Sequence, residues 1–142
     1  MENTPVVIER VINAPASRIW QALTDKTQMK QWYFDVSDFE PVVGFEFEFF
    51  GGKDDRRFHH LSRVTEAIPN KKIAYTWRYK GYPGDSLVTI ELFEEGAQTR
   101  VKLTHTGLGT FPRDTEDFAA HNFVRGWTEI IGTSLPKFVE YN

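Results

Sequence analysis

Hydrophobic positions change their period twice along this chain, and each change predicts a change of element. Val6 to Ile12 is dense in β-branched residues and predicts a first strand. It stops at Asn13-Ala14-Pro15, where proline at a first helical position loses nothing, because that N–H has no helical partner. Pro15 to Leu23 then carries Ile19, Ala22 and Leu23 on one face. Asp25 predicts the N-cap of a second short helix, with Gln28 three residues on as in a capping box, ending at Trp32-Tyr33-Phe34.

From residue 36 to residue 106 the period is two. Phe45, Phe47 and Phe49 alternate with Glu46 and Glu48, and Ile73, Tyr75, Trp77 and Tyr79 alternate with Lys72, Thr76 and Arg78. Val88, Ile90 and Leu92 form a third such run, and Val101, Leu103 and His105 a fourth. Turn residues fall between the runs, at Gly51-Gly52, Pro69-Asn70, Gly81 to Gly84 and Glu95-Gly96, so neighbouring strands are antiparallel. Only His59 to Ile68 resists assignment, since neither of its faces is uniformly apolar.

A meander with one apolar face needs a cover. Thr115 to Asn142 supplies it, with Phe123, Trp127, Ile130, Ile131, Leu135 and Phe138 at steps of three and four. Pro136 lies inside that pattern and its ring presses on the carbonyl of Gly132, which predicts a kink or a fresh start. The whole is an α+β fold: a curved antiparallel sheet of about six or seven strands, two short helices after the first, and a long C-terminal helix across the sheet. One domain over residues 1–142 is expected, since 142 residues can bury about 70% of the unfolded surface around one core.

Composition narrows the functions. With 17 basic and 20 acidic side chains the net charge is −3, which gives no basic stripe for nucleic acid. There is no cysteine, so thiolate chemistry, zinc–cysteine sites and iron–sulfur clusters are excluded. The start Met1-Glu2-Asn3-Thr4-Pro5 has neither the basic nor the apolar region of a signal peptide. No apolar run approaches the roughly 20 residues that span a bilayer. A cytoplasmic protein without membrane insertion is the expectation.

Several phrases resemble the activator of Hsp90 ATPase homologue 1-like family, within the START-like, or SRPBCC helix-grip, superfamily. They are Val11 to Asp25, Gln31 to Tyr33, Val43 to Phe47, Lys72 to Trp77, Val88 to Leu92, Thr99 to Gly107, and Gly126-Trp127. The resemblance implies the helix-grip fold and a cavity between sheet and C-terminal helix, used in the superfamily for lipids, sterols, polyketides and plant hormones. It also implies two alternatives. One is a protein-interaction module acting as an Hsp90-type co-chaperone or stress-response cofactor. The other is a cyclase- or hydrolase-like enzyme working in the same cavity.

The candidate ligand-binding residues are Trp32, Phe47, Phe49, Tyr75, Trp77, His105, Phe123 and Trp127. Rigid aromatics either fill a core or wall a pocket for a small apolar or aromatic molecule. His105 shares the inward face with Val101 and Leu103, so its imidazole either aims at a ligand oxygen or is satisfied inside the protein. His59 and His60 point to opposite faces of a strand and His121 lies far off, so no metal site or cofactor is expected. Asp54-Asp55-Arg56-Arg57 reads as a charged hairpin tip, a solvated turn or a docking surface. Glu9 could face inward, but a single carboxylate makes no acid–base pair, and no catalytic residue is assigned.

Overall fold

The computed structural model describes residues 4–53 and 56–141. Asp54 and Asp55, the centre of the expected charged tip, lie outside the described residues. The strands are β1 Val6–Ile12, β2 Glu46–Lys53, β3 Arg56–Ile68, β4 Lys72–Tyr79, β5 Ser86–Glu95 and β6 Gln98–Thr106. They form one antiparallel sheet in the order β1-β6-β5-β4-β3-β2. Helices α1 Ala16–Thr24 and α2 Lys26–Trp32 follow β1. Five strands therefore follow the helices: residues 36–45, where period two was expected to begin, form no strand. That segment instead anchors itself by burying Val36 and Phe39 while Val42 and Val43 stay exposed.

Local chemistry sets the helix ends. Pro15 is the N-cap of α1 rather than its first helical residue, in extended backbone at φ −73° and ψ 155°. Asp25 caps α2 by accepting from the Gln28 N–H at 3.3 Å. The Gln28 side chain does not complete the box: its Oε1 accepts from Arg18 Nη1 at 2.6 Å, which ties α2 to α1. Glu9 is exposed and pairs with Arg100 at 3.1 Å, so the inward placement allowed for it is corrected. Its register partner Lys102 alternates with the buried Val101 and Leu103, and that pleat sends Glu9 outward.

The segment that resisted assignment is most of β3. Its pairing with β4 shifts between Val64 and Glu66, where a bulge leaves Thr65 as the extra residue. His60, Ser62 and Val64 face the core before the bulge, and the partly buried Ala67 takes that face after it.

The C-terminal cover begins with a 3₁₀ turn at Glu116–Phe118 and continues as helix α3 Ala120–Glu129. A π turn at Ile130–Ser134 then leads into α4 Leu135–Tyr141. The discontinuity expected near Pro136 is this wide turn, in which Leu135 N–H bonds the Ile130 carbonyl five residues back. The buried stripe runs Phe123, Trp127, Ile131, Leu135 and Val139, in steps of four. Each such step overshoots a 3.6-residue turn by about 40°, and the extra residue in the π turn takes up the drift. Ile130 and Phe138, expected on the stripe, are only partly buried beside it.

Candidate functional site

Between α3 and the β2–β4 end of the sheet lies a cavity of about 820 Å³. Phe34, Phe58, Tyr79, Phe118 and Phe123 supply its aromatic wall, and Gly51 and His60 its strand side. Asp117, Asn122, Arg125 and Glu129 add polar groups. The backbone explains how Phe34 reaches this wall. Gly51 has no side chain, and a Cβ there would come within 2.9 Å of Phe34 Cε1 and 3.1 Å of His60 Cε1. Phe34 occupies that vacant space, stacked on Phe49 with centroids 4.6 Å apart.

His60 and Tyr79 stand opposite each other in the β3–β4 register, with ring centroids 4.7 Å apart. His60 is buried, stacks on Phe49 at 4.5 Å, and donates from Nδ1 to the Phe58 carbonyl at 3.0 Å. Burial pushes its pKa down to about 4, only partly offset by the Phe58 and Phe49 carbonyls. Tyr79 Oη accepts from Trp77 Nε1 at 2.7 Å, and burial raises the phenol's pKa well above its ordinary value. Both side chains are therefore neutral at pH 7.

Behind this wall lie most of the residues expected to bind a ligand. Phe47, Phe49, Tyr75, Trp77, His105 and Trp127 are all buried and packed on one another. Tyr75 meets the Tyr33 hydroxyl at 2.6 Å, and burial raises both pKa values. Trp32 donates from Nε1 to the Ala22 carbonyl at 2.8 Å, which locks α2 against α1 instead of lining the cavity. Phe123 alone of the expected set reaches the cavity wall.

Of the two readings open for His105, its hydrogen bonds match the one in which the imidazole is satisfied inside the protein. Its Nδ1 accepts from Trp127 Nε1 at 3.0 Å, so the ring proton sits on Nε2. Nε2–H then donates to Ser86 Oγ at 2.8 Å, and Ser86 gives its own proton to the Trp77 carbonyl at 2.7 Å. Both ring nitrogens are used, no surface is exposed, and burial lowers the pKa to about 3. Alternation along β6 placed the ring indoors but could not show what it would meet there.

His60 and Phe58 escaped the sequence because the β3 bulge hides its face pattern. Tyr79 was read as inward, but nothing in the pattern marked it as nearer the opening than Trp77. Phe118 belongs to a 3₁₀ turn where a continuous helix was expected. The aromatics at 34, 58, 79 and 118 were the available signal, but only the tertiary fold gathers them. His59 faces outward, bonded to Glu48 at 2.9 Å, and His121 lies 3.5 Å from Glu116. Among the described residues no three His, Asp or Glu side chains converge as metal ligands, and no helix is long and apolar enough to cross a membrane.

The family described as activator of Hsp90 ATPase homolog 1-like protein matches residues 13–140. The Hsp90 co-chaperone AHA1 of Saccharomyces cerevisiae is 25% identical over 129 residues, covering 85% of this chain and 34% of that protein. The chain thus spans about a third of that relative. Among solved structures, protein CV1439 from Chromobacterium violaceum is 25% identical with a TM-score of 0.80, covering 99% of both chains. Protein MLL2253 from Mesorhizobium loti is 26% identical with a TM-score of 0.80, covering 98% of both.

Proposed function

Because the chain belongs to the activator of Hsp90 ATPase homolog 1-like family, with its helix-grip fold, we propose that it binds a small apolar or aromatic molecule between the sheet and α3. The observation that carries this reading is the cavity of about 820 Å³ walled by Phe34, Phe58, Phe118 and Phe123. Its size falls within the range of small-molecule pockets, and aromatic walls offer area and stacking faces at low entropic cost. The lack of cysteine suits a reducing compartment, and this reading takes the protein as one cytoplasmic domain. Titration with naphthalene, followed by amide NMR, tests it. Shifts should centre on Phe34, His60, Phe123 and Gly126. Saturation without any shift there would overturn the reading.

The relation to the yeast co-chaperone favours a second reading, in which the surface engages an Hsp90-type chaperone. Stimulation of an Hsp90 ATPase by the purified chain, undiminished when the cavity is blocked, would establish it over the first. A cyclase- or hydrolase-like reaction in the cavity would need a base. His60, with its pKa near 4, makes a weak one at pH 7.

A further inference from the structure

Two cavities meet at one side chain. Beside the cavity described above lies a second, of about 590 Å³, walled by Leu108, Phe111 and Pro112 and by Ala119 and Ala120 at the start of α3. Phe118 is the one described residue that lines both. Its buried ring touches Phe58 and Tyr79, which line the first cavity, with centroids 5.2 and 4.6 Å away. It also touches Phe111, which lines the second, at 5.5 Å. A single ring therefore stands where the two volumes meet. The far wall is held independently of it. Phe111 fits against Gly84, where a Cβ would come within 2.5 Å of its ring. Thr110 Oγ1 accepts from the Asp85 N–H at 2.8 Å, which ties this loop to the start of β5.

We propose that Phe118 sets the length of the ligand: it confines the first cavity to a compact ring system and shuts a rod-shaped apolar molecule out of the second. The proposal rests on the ligand-binding reading above and adds a shape to it. A rod entering from the first cavity would have to displace a ring that packs on Phe58, Tyr79, Tyr82 and Phe111. Interiors packed this closely resist such displacement. The short 3₁₀ turn keeps the ring at the junction, with the Phe118 N–H bonded to the Thr115 carbonyl at 3.0 Å and the Ala119 N–H to that of Glu116 at 3.0 Å. A compact ligand ends before Phe118 and has nothing to gain from its loss. A rod would gain the apolar surface along Leu108, Phe111 and Pro112 once the ring is gone.

Titration with compact naphthalene and rod-shaped diphenylhexatriene, which fluoresces on leaving water, tests the partition. Phe118→Ala should bind diphenylhexatriene at least about tenfold more tightly than wild type does, because the opened site buries more of the rod. Its affinity for naphthalene should change by less than about threefold, since the first cavity keeps its other walls. Saturating naphthalene should displace the rod, because the two overlap in the first cavity. Phe118→Leu, a milder truncation, should show a smaller gain of about threefold, and it decides the matter if circular dichroism shows the alanine variant poorly folded. Equal diphenylhexatriene affinity in wild type and a folded variant would overturn the partition and leave the cavity reading standing. So would bound diphenylhexatriene that naphthalene fails to displace. Binding of neither probe to wild type or variants would overturn both.

Discussion

At the scale of single residues, two buried histidines do different work because their nitrogens are spent differently. His105 is a junction: it receives a hydrogen bond from Trp127 on α3 and passes one to Ser86 on β5. His105→Leu keeps the volume but leaves the Trp127 N–H unpaired in the core, at a cost of about 1–3 kcal/mol. The midpoint of urea unfolding measures this, and an unchanged midpoint would remove the junction from the account. Both histidines also make stability depend on pH. Their folded pKa values, about 4 for His60 and about 3 for His105, lie below the unfolded 6.5. Between those values the unfolded chain binds protons that the folded one refuses. The contribution is therefore complete above about pH 6.5 and is lost as pH falls toward 4 and then 3. Each histidine contributes a slope of up to about 1.4 kcal/mol per pH unit. Unfolding midpoints from pH 7 to pH 4.5 should fall with acidification. A variant with both histidines replaced by Phe should show a flatter profile.

At the scale of elements, strand β2 and helix α3 define the cavity from opposite sides. Gly51 leaves room on β2 that Phe34 fills, and any side chain there must displace that ring or the His60 imidazole. Gly51→Val is expected to weaken naphthalene binding at least tenfold while costing about 1–3 kcal/mol of stability, as overpacking does. Undiminished binding would place the cavity elsewhere. On the other side, Trp127 joins the sheet by ring contacts with Trp77 and His105 and by its N–H. Trp127→Ala should cost about 3–5 kcal/mol, read from the same urea midpoints. The π turn after α3 keeps the buried stripe on the sheet as far as Val139.

At the scale of the whole molecule, one sheet and one helical cover share a core that runs the length of the chain, so a ligand held between them should stabilise both together. At a free concentration of naphthalene a hundredfold above its Kd, linkage gives about 2.7 kcal/mol. For a chain of this size that is a rise in Tm of roughly 6–10 °C, measurable by calorimetry. A Tm indifferent to saturating ligand would mean that binding occurs without reference to the folded cavity.

How much of this was written in the sequence depends on the range of the interaction that decides it. Periodicity and capping are local. Phe45 to Phe49, Ile73 to Tyr79, Asp25 and the stripe at steps of three and four from Phe123 therefore disclosed strands, the second helix and the cover before any contact was known. The same local rule put Trp77, His105 and Trp127 indoors, and there it ended. Whether an inward residue fills the core or faces an opening depends on what arrives from the far side of the sheet. His105 met Trp127 and Ser86, which closed it off. His60 met Gly51 and Phe34, which left it on the cavity wall. The bulge at Val64–Glu66 settled the face of β3 by pairing with β4, and no single-strand pattern carries that information. Sequence alone determined the buried faces of β4, β5 and β6 and of the C-terminal cover. The tertiary structure decided which inward residues are closed off in the core and which line the cavity, because a contact joins two groups and the second lies elsewhere in the chain.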